Sequence, residues 1–201
     1  MKKILFLLIP ILIAGLVATA QSDSVKISQC KAHFHNYEVK QAFEVESLFP
    51  MFLTGGFHVA AGYRFDKFRI RFSIINGGSY DAEAAGINNS SANYKRYYKT
   101  SPGIFLGYNL WRNLEAYTYL EFHTFEIEQK STGIRKNLHS TDTGCGISYQ
   151  FFVGNKFYIQ PGFHVYLRGS HSLEFGNEQY HISRVDLAPV LRIGYRFRCK
   201  H

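Results

Sequence analysis

What this sequence has little of excludes several protein classes. Cysteine is scarce: three in 201 residues cannot staple a disulfide-dense scaffold. Charge is scarce too, at 19% of residues, while apolar types reach 46%. Such a chain buries enough surface to offset its ordering entropy, which excludes disorder. Beyond the first twenty residues no apolar run is long enough to be a membrane-spanning helix. Neither Gly-x-Ser-x-Gly nor His-Glu-x-x-His occurs, so the common hydrolase and metalloprotease signatures are missing. Acidic residues number 15 against 23 Lys and Arg. The basic residues are spread along the chain rather than clustered, which argues against nucleic acid as a partner.

The opening twenty residues, MKKILFLLIPILIAGLVATA, form an address rather than part of a fold. Lys2 and Lys3 precede an apolar core, and Ala18-Thr19-Ala20 is a small-x-small cleavage site. This is the three-part secretory signal pattern. Its removal, with two lysines, leaves 181 residues and lowers the net charge from +8 to +6. The expected organisation is a signal peptide over 1–20, a periplasmic segment over 21–39, and a barrel over 40–201.

Aromatic content is high, 18 Phe and 14 Tyr, and the mature chain alternates with period two, the mark of strands with unlike faces. In Arg184–Arg198 one parity carries Val185, Leu187, Pro189, Leu191, Ile193, Tyr195 and Phe197; the other carries Arg184, Asp186, Arg192, Arg196 and Arg198. The same split recurs in Gln41–Phe49, Phe57–Phe65, Phe68–Ile74, Leu114–Phe122, Thr141–Phe151 and Phe157–Leu167. Ile104–Leu110 is less clean, because Phe105 and Trp111 fall on the polar parity. These segments predict eight strands. Asp66-Lys67, Arg112-Asn113 and Gly154-Asn155-Lys156 are tight turns. The connections 50–55, 76–101, 128–140 and 169–182 are longer, so the two ends of the meander differ.

A sheet in hydrocarbon must close on itself, since an open edge leaves backbone groups unpaired. Eight strands are about the smallest closure. Parity alone does not separate a membrane barrel from a soluble, lipocalin-type one with an apolar inside. The small residues Gly62, Gly107, Gly144, Gly146, Gly162 and Gly194 share the charged parity, as a crowded interior requires. Aromatics near strand ends on the apolar parity suit interfacial girdles. The expected fold is therefore all-β, an eight-stranded antiparallel up-and-down transmembrane barrel.

With these features the sequence resembles the small outer-membrane β-barrel proteins of Gram-negative bacteria, over about residues 40–198. The segment Leu191-Arg-Ile-Gly-Tyr-Arg-Phe197 is similar to the C-terminal signal such proteins present to the barrel-assembly machinery, with Tyr195 and Phe197 in the aromatic places. Here the chain continues through Arg198-Cys199-Lys200-His201. The resemblance implies insertion in the bacterial outer membrane, in contact with its lipids. It implies no single activity, because structural, adhesive, channel-forming and enzymatic members exist.

The strongest candidate constellation is the charged parity: Glu44, Glu46, Glu115, Glu121, Asp142 and Asp186 with Arg64, Arg69, Arg71, Arg168, Arg184, Arg192 and Arg196. Buried charges must pair, so these predict a salt-bridged plug in a narrow lumen. The alternatives are a narrow ion or solute path, and an acid–base site built from His123 or His164 with Glu121. Cys30 and Cys199 fall at the periplasmic end, an oxidising compartment, and form a candidate disulfide. His33, His35 and His201 lie near them in this scheme, but the spacing matches no standard finger; no metal and no cofactor is assigned. Segment 76–101 ends in the basic–aromatic run Tyr94-Lys-Arg-Tyr-Tyr-Lys99. It is read as a solvated loop, or as a contact for lipopolysaccharide phosphate or a surface protein. The expected role is non-enzymatic, structural or surface-interacting. The competing roles are the narrow channel, a lipid-modifying membrane enzyme and a secreted soluble binder.

Overall fold

The computed structural model describes residues 39–81 and 93–198. The candidate signal peptide, most of the N-terminal segment, and the candidate pair Cys30 and Cys199 lie outside them. The elements, in order, are β1 (Gln41–Leu48), α1 (Phe49–Leu53), β2 (Gly56–Phe65), β3 (Phe68–Gly77), β4 (Ser79–Asp81), β5 (Tyr94–Tyr98), β6 (Ser101–Trp111), β7 (Leu114–Gln129), β8 (Arg135–Tyr149), β9 (Phe151–Val153), β10 (Phe157–Leu167), β11 (Ser172–Phe175), β12 (Glu178–His181) and β13 (Val185–Arg198).

Eight strands close the barrel: β1, β2, β3, β6, β7, β8, β10 and β13 each pair antiparallel with the next. Closure is direct, because β1 pairs β13 from Ala42↔Arg198 to Leu48↔Arg192. Every spanning strand therefore has a hydrogen-bonded neighbour on both sides, as a lipid-immersed sheet needs. The tight turns fall where the sequence puts them. Asp66 and Arg112 adopt φ of 51° and 50°, the left-handed backbone of short hairpin turns.

Parity becomes inside and outside. Phe43, Phe57, Val59, Phe65, Phe68, Phe72, Leu106, Phe122, Phe163 and Leu187 point away from the barrel and are exposed, while Glu44, Arg64, Arg69, Arg71, Glu115, Asp142, Arg192 and Arg196 are buried within it. Phe105 is buried inside with them. Trp111 is turned outward by a β-bulge between Asn109 and Trp111, which corrects its expected parity. Gly194 and Gly146 face inward where a Cβ would collide with the Tyr158 and Tyr117 rings, so both aromatics cross the lumen over glycine.

Three expectations about the long connections are corrected. Strands β7 and β8 run well past the apolar band and pair from Leu114↔Tyr149 to Glu128↔Arg135. The expected loop over 128–140 is thus mostly strand. Within 76–101, β5 pairs β7, and Tyr94 and Arg96 are buried rather than solvated. The connection over 169–182 holds the β11–β12 hairpin. The physical reason lies in the pattern itself. Beyond Phe122 the outward residues of β7 become Thr124, Glu126 and Glu128, and the inward ones become Phe125 and Ile127. Alternation continues while its polarity reverses, as it must once the strand leaves lipid for water. The reversed segment carries its own core of Tyr94, Phe125, Ile127, Leu138, Phe175 and Tyr180.

Candidate functional site

The barrel interior is layered along its axis. Nearest the tight turns lies a guanidinium–carboxylate network. Glu44, on β1, accepts from Arg64 Nε at 3.1 Å and Arg196 Nε at 2.6 Å, and pairs with Arg69 Nη2 at 2.5 Å. Glu46, two residues on and so on the same face, accepts from Arg69 Nη2 at 2.6 Å, Arg71 Nη1 at 2.8 Å and the Tyr158 hydroxyl at 2.9 Å, with Arg192 Nε at 3.4 Å. Glu115, across the lumen on β7, accepts from Arg71 Nη2 at 2.9 Å, Arg64 Nη2 at 3.2 Å and Arg69 Nη1 at 3.3 Å. The eight residues Glu44, Glu46, Glu115, Arg64, Arg69, Arg71, Arg192 and Arg196 thus form one connected cluster, each almost wholly buried. Charge-assisted, partly bidentate geometry of this kind is what offsets the desolvation of an interior ion.

Above it lies an aromatic layer: Phe105, Tyr117, Tyr119 and Tyr166 around His164. Arg192 donates to His164 Nε2 at 2.8 Å, and His164 Nδ1 meets the Tyr166 hydroxyl at 3.1 Å. Both ring nitrogens are occupied by lumen partners. The acid–base pairing of His164 with Glu121 is not what the structure brings together; Glu121 instead lies 3.4 Å from His123.

A third layer holds Glu121, His123 and Asp142, with Arg168 Nη1 at 3.6 Å from Asp142 and Arg168 Nη2 at 2.9 Å from Asp186. Ser140 donates its hydroxyl to Asp142. Arg184 does not join any of these layers. It is exposed, one residue before β13 begins, so correct parity at a strand end puts it in water at the barrel mouth.

The sequence reading missed the neutral members of the network. Gln150 accepts from Arg64 Nη2 at 3.1 Å and Arg196 Nη2 at 2.7 Å; Gln160 accepts from Arg69 Nη1 at 3.3 Å and donates to Ser148 at 2.7 Å. Their parity is that of the charged set, and that signal would have found them. Tyr195 and Phe197 face outward on β13 with ring centroids 4.8 Å apart, and Phe197 lies 6.3 Å from Phe43 of β1.

Above the apolar band the outer surface carries ion pairs. Lys99 bonds Glu126 at 2.9 Å, and Arg135 spans Glu126 at 3.1 Å and Glu128 at 2.7 Å. Hydrogen bonding from the Lys99 ammonium, the largest influence, holds the Glu126 carboxyl below its ordinary range. Glu178 fastens the β11–β12 hairpin by accepting from Gln129 Nε2 at 2.8 Å and Tyr94 Oη at 3.3 Å. Among the described residues no group of three or more His, Cys, Asp or Glu is arranged to hold a metal ion.

A closed meander with an oily wall, an ionic interior and a polar head is compatible with one solvent arrangement only: lipid around the band and water at the head. The architecture is that of a closed eight-stranded transmembrane β-barrel.

The sequence matches no known family model and no curated protein sequence. Among solved structures it is similar to the N-terminal β-barrel domain of Pseudomonas aeruginosa OprF, at 13% identity over 78% of this chain and 97% of that one, with a TM-score of 0.41. It is similar to Neisserial surface protein A, at 14% identity over 79% and 95%, TM-score 0.39. It is also similar to a major outer membrane protein from Thermus thermophilus, at 11% identity over 78% and 98%, TM-score 0.39.

Proposed function

We propose that this protein is a non-enzymatic outer-membrane barrel whose lumen is closed by its own salt bridges and whose head serves a structural or surface-interaction role. The supporting observation is the connected cluster of eight buried charged residues, stacked under an aromatic layer and a second polar layer. A wide aqueous path needs roughly sixteen strands; here side chains occupy the axis. The outer-membrane lipids contact the wall. Tyr195 and Phe197 act as the aromatic places of the signal read by the barrel-assembly machinery. Segment 76–101, whose Lys99 joins the paired rim of Arg135, Glu126 and Glu128, is assigned a partner at the headgroup level: lipopolysaccharide phosphate or a surface protein.

Planar-bilayer recording tests the closure. The purified chain gives no steady single-channel openings. Regular openings abolished by Arg192→Gln or Glu46→Gln would instead establish a narrow ion path. Unchanged phospholipid and lipid A profiles on deletion separate this reading from a lipid-modifying enzyme.

A further inference from the structure

The outer wall is not evenly bulky. Two neighbouring cross-strand rows run over β6, β7, β8 and β10 on the apolar side. In the first, Phe68 of β3, Tyr108, Ala116, Ile147 and Phe163 stand in register; in the second, Leu106, Thr118, Cys145 and Val165 do. Each row is large at its ends and small in its middle. The large members are exposed and project from the sheet. Outward residues opposite one another on paired strands are close neighbours. Ala116, Thr118 and Cys145 therefore form the floor of a saddle on β7 and β8, between rims on β6 and β10. These residues line a depression of about 890 Å³.

The floor has little to offer a polar ligand. The Thr118 hydroxyl donates to the Gly144 carbonyl at 2.8 Å. Ala116 has no polar side-chain atom, and Cys145 carries a free thiol, a weak hydrogen-bonding group. Concave apolar sites of this kind retain apolar ligands. The saddle is continuous with the apolar band, so acyl chains border it on every side. A flexible chain can follow the floor. A rigid neighbouring barrel would rest on the Tyr108 and Phe163 rims and leave a void over Ala116, forfeiting contacts there. Ala116 and Thr118 are the second and third outward residues of β7, with Leu120 and Phe122 beyond them. The floor thus lies nearer the tight turns than the head.

We propose that this saddle retains one glycerophospholipid from the leaflet on the tight-turn side, held by an acyl chain laid over Ala116, Thr118 and Cys145. The site rests on the membrane reading given above and deepens it, from lipid around the wall to one lipid at one place. It does not depend on whether the lumen conducts.

The test uses the full chain in phosphatidylcholine vesicles that include a phosphatidylcholine with a diazirine in its acyl chain. After irradiation, adducts are located by tandem mass spectrometry. They concentrate on the floor, while Phe43 and Val59, exposed on β1 and β2 away from the saddle, take few. Ala116→Phe fills the floor from the lipid side. Adducts at Thr118 and Cys145 then fall about tenfold, as losing contact with about two methylene groups implies, and those at Phe43 and Val59 do not change. Thr118→Ala deepens the floor and raises labelling at Cys145, which keeps the test open if the first variant does not fold. Native mass spectra of the chain extracted from membranes in mild detergent show one retained phospholipid, lost in Ala116→Phe. Even labelling around the wall would overturn the site, as would retention undiminished by Ala116→Phe. A doubled mass with Cys145 unlabelled would give the saddle to a second copy, and retained lipopolysaccharide would give it to the other leaflet; either overturns the proposal. All of these leave the barrel in its membrane. A wall with no adducts anywhere would remove the membrane reading as well.

Discussion

Glu46→Gln is the sharpest probe of the interior network. The substitution keeps shape and removes one charge. Glu46 meets four lumen partners: Arg69 at 2.6 Å, Arg71 at 2.8 Å, Tyr158 at 2.9 Å and Arg192 at 3.4 Å. The first three fall within normal hydrogen-bond length; all three are charge-assisted, and in two of them the donor is charged as well. Losing one partner of a buried ion pair typically costs about 3–5 kcal/mol, because the opposite charge is left unpaired. That corresponds to roughly a 100- to 4,000-fold change in the folding equilibrium. The rim supplies an internal control. Glu126 pairs with Lys99 and Arg135, which are about half exposed, and such pairs are worth about 0–1 kcal/mol. Urea unfolding in lipid, followed through Trp111, the single tryptophan of the chain, reads both variants. Trp111 faces outward, so its emission shifts as the wall leaves lipid. A Glu46→Gln cost below about 1 kcal/mol, or equal to that of Glu126→Gln, would refute the reasoning. Glu46→Met with Arg71→Met removes one buried charge of each sign and is expected to recover part of the loss.

Other outcomes rest on the same structure. Gly144→Ala places a Cβ against the Val165 carbonyl and the Tyr119 ring; overpacking against backbone lowers stability by about 1–3 kcal/mol, measurable as a lower heat-modifiability temperature. Phe175→Ala removes a buried ring from the head core at a cost of about 3–5 kcal/mol, and limited proteolysis then cuts near residues 172–181 while the barrel stays intact. Glu126 titrates below its ordinary range because of Lys99. Its contribution to stability is full above the ordinary carboxylate pKa and disappears as pH falls through the depressed value. Lys99→Met moves that acid limb upward in a pH series. A spin label on Cys145, exposed on the outward parity of β8, is reached by oxygen dissolved in lipid and not by a water-soluble nickel complex.

How much of the fold and the site is legible in the sequence depends on whether a residue's role is set by alternation or by its neighbours. Strand number and tight turns come from local pattern: period two and hairpin chemistry act over a few residues. The unlike faces are legible for the same reason. Placement of Glu44, Arg64 and Arg196 on one parity is readable; that both arginines meet one Glu44 oxygen is not, because β1, β2 and β13 come together only on closure. The extensions of β7 and β8 escape because reversed polarity reads as an irregular segment when one face is assumed to stay oily. Arg184 shows the converse: its parity is right, and the strand's end puts it in water.

By itself, then, the sequence determined the period and the separation of greasy from ionic side chains, since these are written one residue at a time. Tertiary structure alone decided which guanidinium meets which carboxylate and where the wall stops being oily. Those depend on closing a ring of strands, and ring closure brings together residues as far apart in sequence as Glu44 and Arg196.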